Sequence, residues 1–123
     1  MDRIGSLSPN TLAYIGDAVF HLEVRSRLVA AHGDMSSKAL SVKAAGTVAA
    51  AAQAKILDRI EPRLNDFELD LARRARNLYN KAVPKNATLA EYKKATGLEA
   101  VLGYYYLVKN ERLGEILKLI FEE

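Results

Sequence analysis

Two carboxylates sit where the surrounding sequence is otherwise apolar. Asp17 lies in TLAYIGDAVFHLE (Thr11 to Glu23) and Glu99 in TGLEAVLGYYY (Thr96 to Tyr106). A buried lone carboxylate is costly: without a partner it takes up a proton, whereas an arginine or a divalent cation keeps it ionised. Gly16 and Ala18 flank Asp17 and leave room for something to approach, and Glu99 shares a helical face with Gly103 and Tyr106. Two carboxylates without thiolates suit a hard, oxygen-preferring, six-coordinate ion such as Mg²⁺ or Mn²⁺, with water in the remaining positions. The residues alone leave a second reading open, in which Asp17 pairs with Arg25 or a lysine and Glu99 with Arg74 or Arg76. His21, one turn after Asp17, is either a contact of such a site or an ordinary structural histidine, and His32 carries no signal.

Composition narrows the chemistry. The 123 residues suffice for one domain with a real core, so a single domain over 1–123 is expected. Half the residues are hydrophobic and prolines number three; with no alternating Val/Ile/Thr-rich run, the predicted class is all-α. There is no cysteine, which excludes disulfides and thiolate metal sites and suits a reducing cytoplasm, the expected location. The N-terminus has no signal-peptide core and no apolar run has membrane-spanning length, so no membrane role is expected. Phosphate-binding glycine loops, HExxH and GxSxG are absent, and no nucleotide cofactor is expected. The formal charge of +3 is uneven: residues 73–94 carry seven Lys/Arg against one acid, +6, leaving −3 elsewhere. That concentration suits a polyanion, or else a solvated charged face.

Helices must position the two acids, and their ends are marked. Ser8 before Pro9 predicts a helix from Pro9 to about Ala31, with Leu12, Ile15, Val19 and Leu22 as its apolar stripe and Tyr14, Asp17, His21 and Arg25 opposite. Lys38 to Ile60 reads as an alanine-rich helix, with Gly46 as the place for any bend and no visible chemistry of its own. Asn65 and Glu68 form a capping-box pattern opening a helix from about Asp66 to Tyr79. Its acids lie near the start and Arg73, Arg74 and Arg76 near the end, as the helix dipole favours. Asn80 to Ala87 reads as a polar loop. Thr88 and Glu91 form a second capping box, starting a helix to about Lys109 that is apolar on nearly every side and therefore central, with Tyr104, Tyr105 and Tyr106 as core or interface. Arg112 to Phe121 is predicted as the last amphipathic helix.

YIGDAVF, then RARN and a polar loop, then EYKKATGLEAVLGYYYL, from about Leu7 to Leu117, together resemble the ribonuclease III family and, within it, the Mini-III ribonucleases, which have the catalytic domain alone. The resemblance implies a homodimeric, all-helical endonuclease bundle that cuts double-stranded RNA with Mg²⁺, or with Mn²⁺ in its place. Asp17 and Glu99 match the two metal-binding acids, and trimming of ribosomal RNA precursors (23S) is the implied role. Larger members carry further acids where this chain has Asn10, Ala13 and Thr96; the Mini-III type shares that reduced set. No separate double-stranded-RNA-binding domain is expected after Glu123, so the catalytic domain must hold its own substrate. Arg73, Arg74, Arg76, Asn77, Lys81 and Lys85 are the candidate RNA contacts, because A-form RNA is read largely through its backbone.

Two alternatives stay beside the hydrolytic reading. One is a non-catalytic module of the same fold that docks on structured RNA or ribosomal particles, motivated by the neutral residues at Asn10 and Thr96. The other is a helical protein-interaction domain whose acids form internal ion pairs.

Overall fold

The computed structural model describes residues 3–77 and 87–121, and among these no strand occurs. Six α-helices form the bundle: α1 (Pro9–His32), α2 (Ser37–Val48), α3 (Ala50–Ile60), α4 (Asp66–Arg76), α5 (Leu89–Val108) and α6 (Arg112–Phe121). The predicted caps operate. Ser8 accepts from the Thr11 N–H at 3.2 Å with Pro9 following, and both capping boxes close reciprocally, Asn65 with Glu68 and Thr88 with Glu91. Each satisfies backbone donors that the first turn leaves unpaired.

The run predicted as one helix from Lys38 to Ile60 is two. The break falls at Ala49, whose ψ of 149° is extended, while Gly46 lies inside α2. No glycine or proline marks the break. The α4 helix ends at Arg76, with Asn77 as its C-cap at φ −87° and ψ 0°. Tyr79 and the predicted loop from Asn80 onward lie outside the described residues, apart from Ala87.

The predicted central helix is α5, which packs against α1, α3, α4 and α6. Leu98, Ala100, Val101, Leu102 and Tyr105 are buried along it, and Phe20, Leu57, Leu71 and Ile116 meet them from the surrounding helices. The buried stripe of α1 is Leu12, Ala13, Gly16, Val19, Phe20 and Val24, and Leu22 is exposed. This rotates the predicted stripe, because α1 turns its smallest residue, Gly16, against α5. A Cβ on Gly16 would overlap the main-chain carbonyl of Glu99, and one on Gly103 the carbonyl of Leu12. The two helices therefore touch backbone to backbone, one residue from Asp17 and at Glu99 itself.

Tyr105 is buried, Tyr104 packs on Phe67 with ring centroids 4.9 Å apart, and Tyr106 is exposed. No helix among the described residues is long and apolar enough to cross a membrane.

Candidate active site

The backbone contact of α1 and α5 brings the two acids, 82 positions apart in sequence, into the wall of one cleft of about 350 Å³. Asp17 stands at its mouth, more than half exposed, and Glu99 is half-buried beside it. Asn10, Ala13 and Thr96, where the larger relatives would carry acids, line the same cleft. Thr96 has turned its hydroxyl away, donating to the Tyr92 carbonyl of its own helix at 3.0 Å.

The cleft has no compensating cation among its described lining residues: no lysine or arginine contributes to it. Arg74 pairs with Asp70 at 3.0 Å and Arg76 with Glu61 at 3.7 Å, so neither serves Glu99. Asp17 lies 3.3 Å from His21 Nε2, one turn on. Burial, the Asp17 charge and a hydrogen bond to Asp17 together push the Glu99 carboxyl up to about 8, against the opposing pull of a hydrogen bond with Gln53. A carboxyl in this state keeps its proton at neutral pH unless a cation arrives.

No group of three or more His, Cys, Asp or Glu side chains that could hold a metal occurs among the described residues. Any ion here relies on the acid pair, neutral oxygens and water. Such a donor set fits Mg²⁺, which keeps several waters and is bound through one or two carboxylates. A further oxygen is at hand. Gln53 is buried in the cleft wall, its Nε2 donating to the Val48 carbonyl at 3.0 Å and its Oε1 without a hydrogen-bond partner among the described residues. The alanine-rich run, in which the sequence shows no chemistry, thus contributes a polar group to the cleft. Its only signal in the sequence is one amide in a stretch of alanines; the break at Ala49 that turns it inward leaves no mark there.

The candidate RNA contacts lie elsewhere. Arg73, Arg74 and Arg76 are on the last turn of α4, each at least one-third exposed, and Arg73 and Arg74 both pair with Asp70. The Arg76 stem comes against Gly97, which on a helix faces roughly 200° away from Glu99. The structure therefore does not bring these arginines into the acidic cleft. Asn77 is exposed at the α4 C-cap, and Lys81 and Lys85 lie outside the described residues.

An all-helical bundle in which two acids meet across backbone-contacting helices defines the class. Residues 10–110 match the family model described as Ribonuclease III domain. The chain is 44% identical to a Mini-ribonuclease 3 of Symbiobacterium thermophilum, over 92% of this chain and 87% of that protein. It is 38% identical to one of Clostridium tetani, over 93% and 76%. A crystal structure of a Fusobacterium nucleatum protein superposes with a TM-score of 0.83 at 33% identity, covering 98% of this chain and 93% of that one. The chain belongs to the ribonuclease III family, in its Mini-ribonuclease 3 branch.

Proposed function

We propose that this ribonuclease III family endoribonuclease hydrolyses phosphodiester bonds of double-stranded RNA using a divalent cation, Mg²⁺ or Mn²⁺, held by Asp17 and Glu99. The carrying observation is the uncompensated pair: two acids share one cleft, no described lysine or arginine lines it, and Glu99 is pushed up to about 8. A bound cation would supply the missing charge, polarise the phosphodiester and lower the pKa of an attacking water. The chain's own part is to hold the acids. Gly16 and Gly103 set the approach of α1 and α5, and hence the spacing of the two carboxyls. Cleavage by water leaves a 5′ phosphate and a 3′ hydroxyl.

A two-fold homodimer matches the antiparallel strands of one duplex, one site per strand. Exposed apolar side chains support a covered face: Tyr14, Leu22 and Val29 fall within a sector of roughly 80° on α1, and Val42 is exposed on α2. The Mini-III relationship supports ribosomal RNA precursors, 23S in particular, as substrate, and with it a cytoplasmic location. Arg73, Arg74, Arg76, Asn77, Lys81 and Lys85 are the proposed phosphate contacts outside the cleft.

The test is end-labelled duplex RNA incubated with Mg²⁺ or with chelator, beside the Glu99→Gln and Asp17→Asn variants. Metal-dependent cuts on both strands that disappear in folded variants are expected, and wild-type cleavage by either variant would remove that residue from the site. The neutral Asn10, Ala13 and Thr96 favour one second reading, the non-catalytic RNA-docking module. Duplex binding without cleavage, with Mn²⁺ also tried, would establish it instead.

A further inference from the structure

The proposed cleavage assigns Gln53 no defined role, yet its placement calls for a reason. Its side chain is 2% exposed and forms part of the acidic cleft's wall. Nε2 donates to the Val48 carbonyl at 3.0 Å, at the last residue of α2, where a helix no longer provides donors for its own carbonyls. Glu99 lines the same cleft, and the Gln53 amide is the group that favours its ionised form. Oε1 is left buried with no partner among the described residues. Turning the amide over would not relieve this, because it would set an oxygen against the Val48 carbonyl. A buried acceptor without a donor, in the wall of a cleft, calls for a water or an ion.

We infer that Gln53 is a positioning residue of the cation site: clamped by Val48 in the cleft wall that Glu99 shares, it presents Oε1 to accept a hydrogen bond from the hydration shell of the bound cation. The inference rests on the reading that Asp17 and Glu99 hold the ion. It also answers a need created by the neutral residues at Asn10, Ala13 and Thr96. An ion gripped by two carboxylates keeps most of its waters, and those waters need acceptors. A neutral amide provides one without adding a third negative charge beside the pair.

Mn²⁺ binding to the full chain, followed by calorimetry and by the electron paramagnetic resonance of free Mn²⁺, tests this without reference to cleavage. Gln53→Met keeps the length and removes both polar atoms; it should bind Mn²⁺ about 10-fold more weakly with an unchanged circular dichroism spectrum. Gln53→Glu restores an oxygen acceptor and should bind more tightly than Gln53→Met. Wild-type affinity in Gln53→Met, or equal weakening in the two variants, would overturn the role of Gln53. Should Gln53→Met fail to fold, loss of Mn²⁺ binding in folded Gln53→Glu would overturn it equally. Glu99→Gln separates the two levels: if it binds Mn²⁺ like wild type, the cation site itself falls, and if it loses binding while Gln53→Met keeps it, only Gln53 does.

Discussion

Glu68 in α4 is completely buried and Glu99 in α5 largely so, yet of the two only Glu99 is pushed above its ordinary value, up to about 8. Burial pushes Glu68 up as well, but its partners outweigh it. Arg112 grips both carboxylate oxygens at 2.8 and 3.0 Å, the Asn65 N–H donates at 2.9 Å and the Tyr105 hydroxyl at 2.7 Å, and the carboxyl ends below its ordinary value. Tyr105 shows the other side of that bond, its hydroxyl raised to about 12 by burial and by the Glu68 acceptor. Among the described residues, the charged group acting on Glu99 is another acid, Asp17, and the group favouring its ionisation is the Gln53 amide. Burial pushes both carboxyls up; the donors gathered around Glu68, and their scarcity at Glu99, separate the two. The satisfied acid ties α4 to α5 and α6, and the unsatisfied one is, on the proposed function, the one that receives the cation.

The largest effect should come from dismantling the satisfied side. Arg112→Met leaves Glu68 buried and uncompensated, which should cost about 3–5 kcal/mol of stability in urea unfolding. Glu99→Gln removes a repulsive charge instead and should leave the midpoint at pH 8 equal or higher. A loss below about 1 kcal/mol for Arg112→Met would erase the contrast.

The pH dependence should have opposite signs at the two acids. The folded value of Glu99 lies above its ordinary 4.5, at about 8. Its contribution is thus fully present below pH 4.5 and lost as pH rises towards 8. Glu68 is depressed below 4.5, so its contribution is present above that value and lost as pH falls through its folded pKa. In chelator, stability should decline between pH 5 and 8 by an amount on the order of 2–3 kcal/mol, and Glu99→Gln should flatten that decline. Divalent cation should reverse it, since binding displaces the proton. A flat wild-type profile would show that Glu99 is no more strained than Glu68.

Gly16→Ala attacks the geometry that creates the unsatisfied pair. The added methyl meets the Glu99 carbonyl, so α1 must move off α5 at a cost of about 1–3 kcal/mol. Cleavage, measured per folded molecule, should fall further than stability does. Equal activity per folded molecule would mean that the spacing of Asp17 and Glu99 tolerates the shift.

Helix ends are legible in the sequence because capping is local: Ser8, Asn65 with Glu68, and Thr88 with Glu91 name their own partners within three residues. In the sequence Glu68 shows only as a cap and a dipole partner; its ties to Tyr105 and Arg112, 37 and 44 positions away, have no local pattern. Leu22 is misplaced by a stripe counted from large side chains, which ignores the glycine that fixes which face is closest. The break at Ala49 escapes for a related reason: it lies in a run of good helix formers and brings Gln53 into the cleft wall through tertiary packing. Asp17 and Glu99 stand out as lone charges in apolar helices, but that no described lysine or arginine lines their cleft becomes visible only with Arg74 and Arg76 seen paired to Asp70 and Glu61.

Those arginines carry the smallest effect on stability and a separate one on binding. Arg73 and Arg74 share Asp70 at the exposed end of α4, and exposed pairs contribute about 0.2–1 kcal/mol each. Replacing Arg73, Arg74 and Arg76 by Ala should thus move the unfolding midpoint little. Duplex RNA binding should weaken, and the slope of log affinity against log salt should become shallower by roughly one unit for each phosphate no longer neutralised. Because Arg76 packs on the face of α5 turned away from Glu99, the triple variant should lower affinity for duplex and leave Mn²⁺ binding at the acidic cleft unchanged. An unchanged salt slope would make the α4 arginines helix-end charges balanced by Asp70 and Glu61, and would leave phosphate binding to other basic residues.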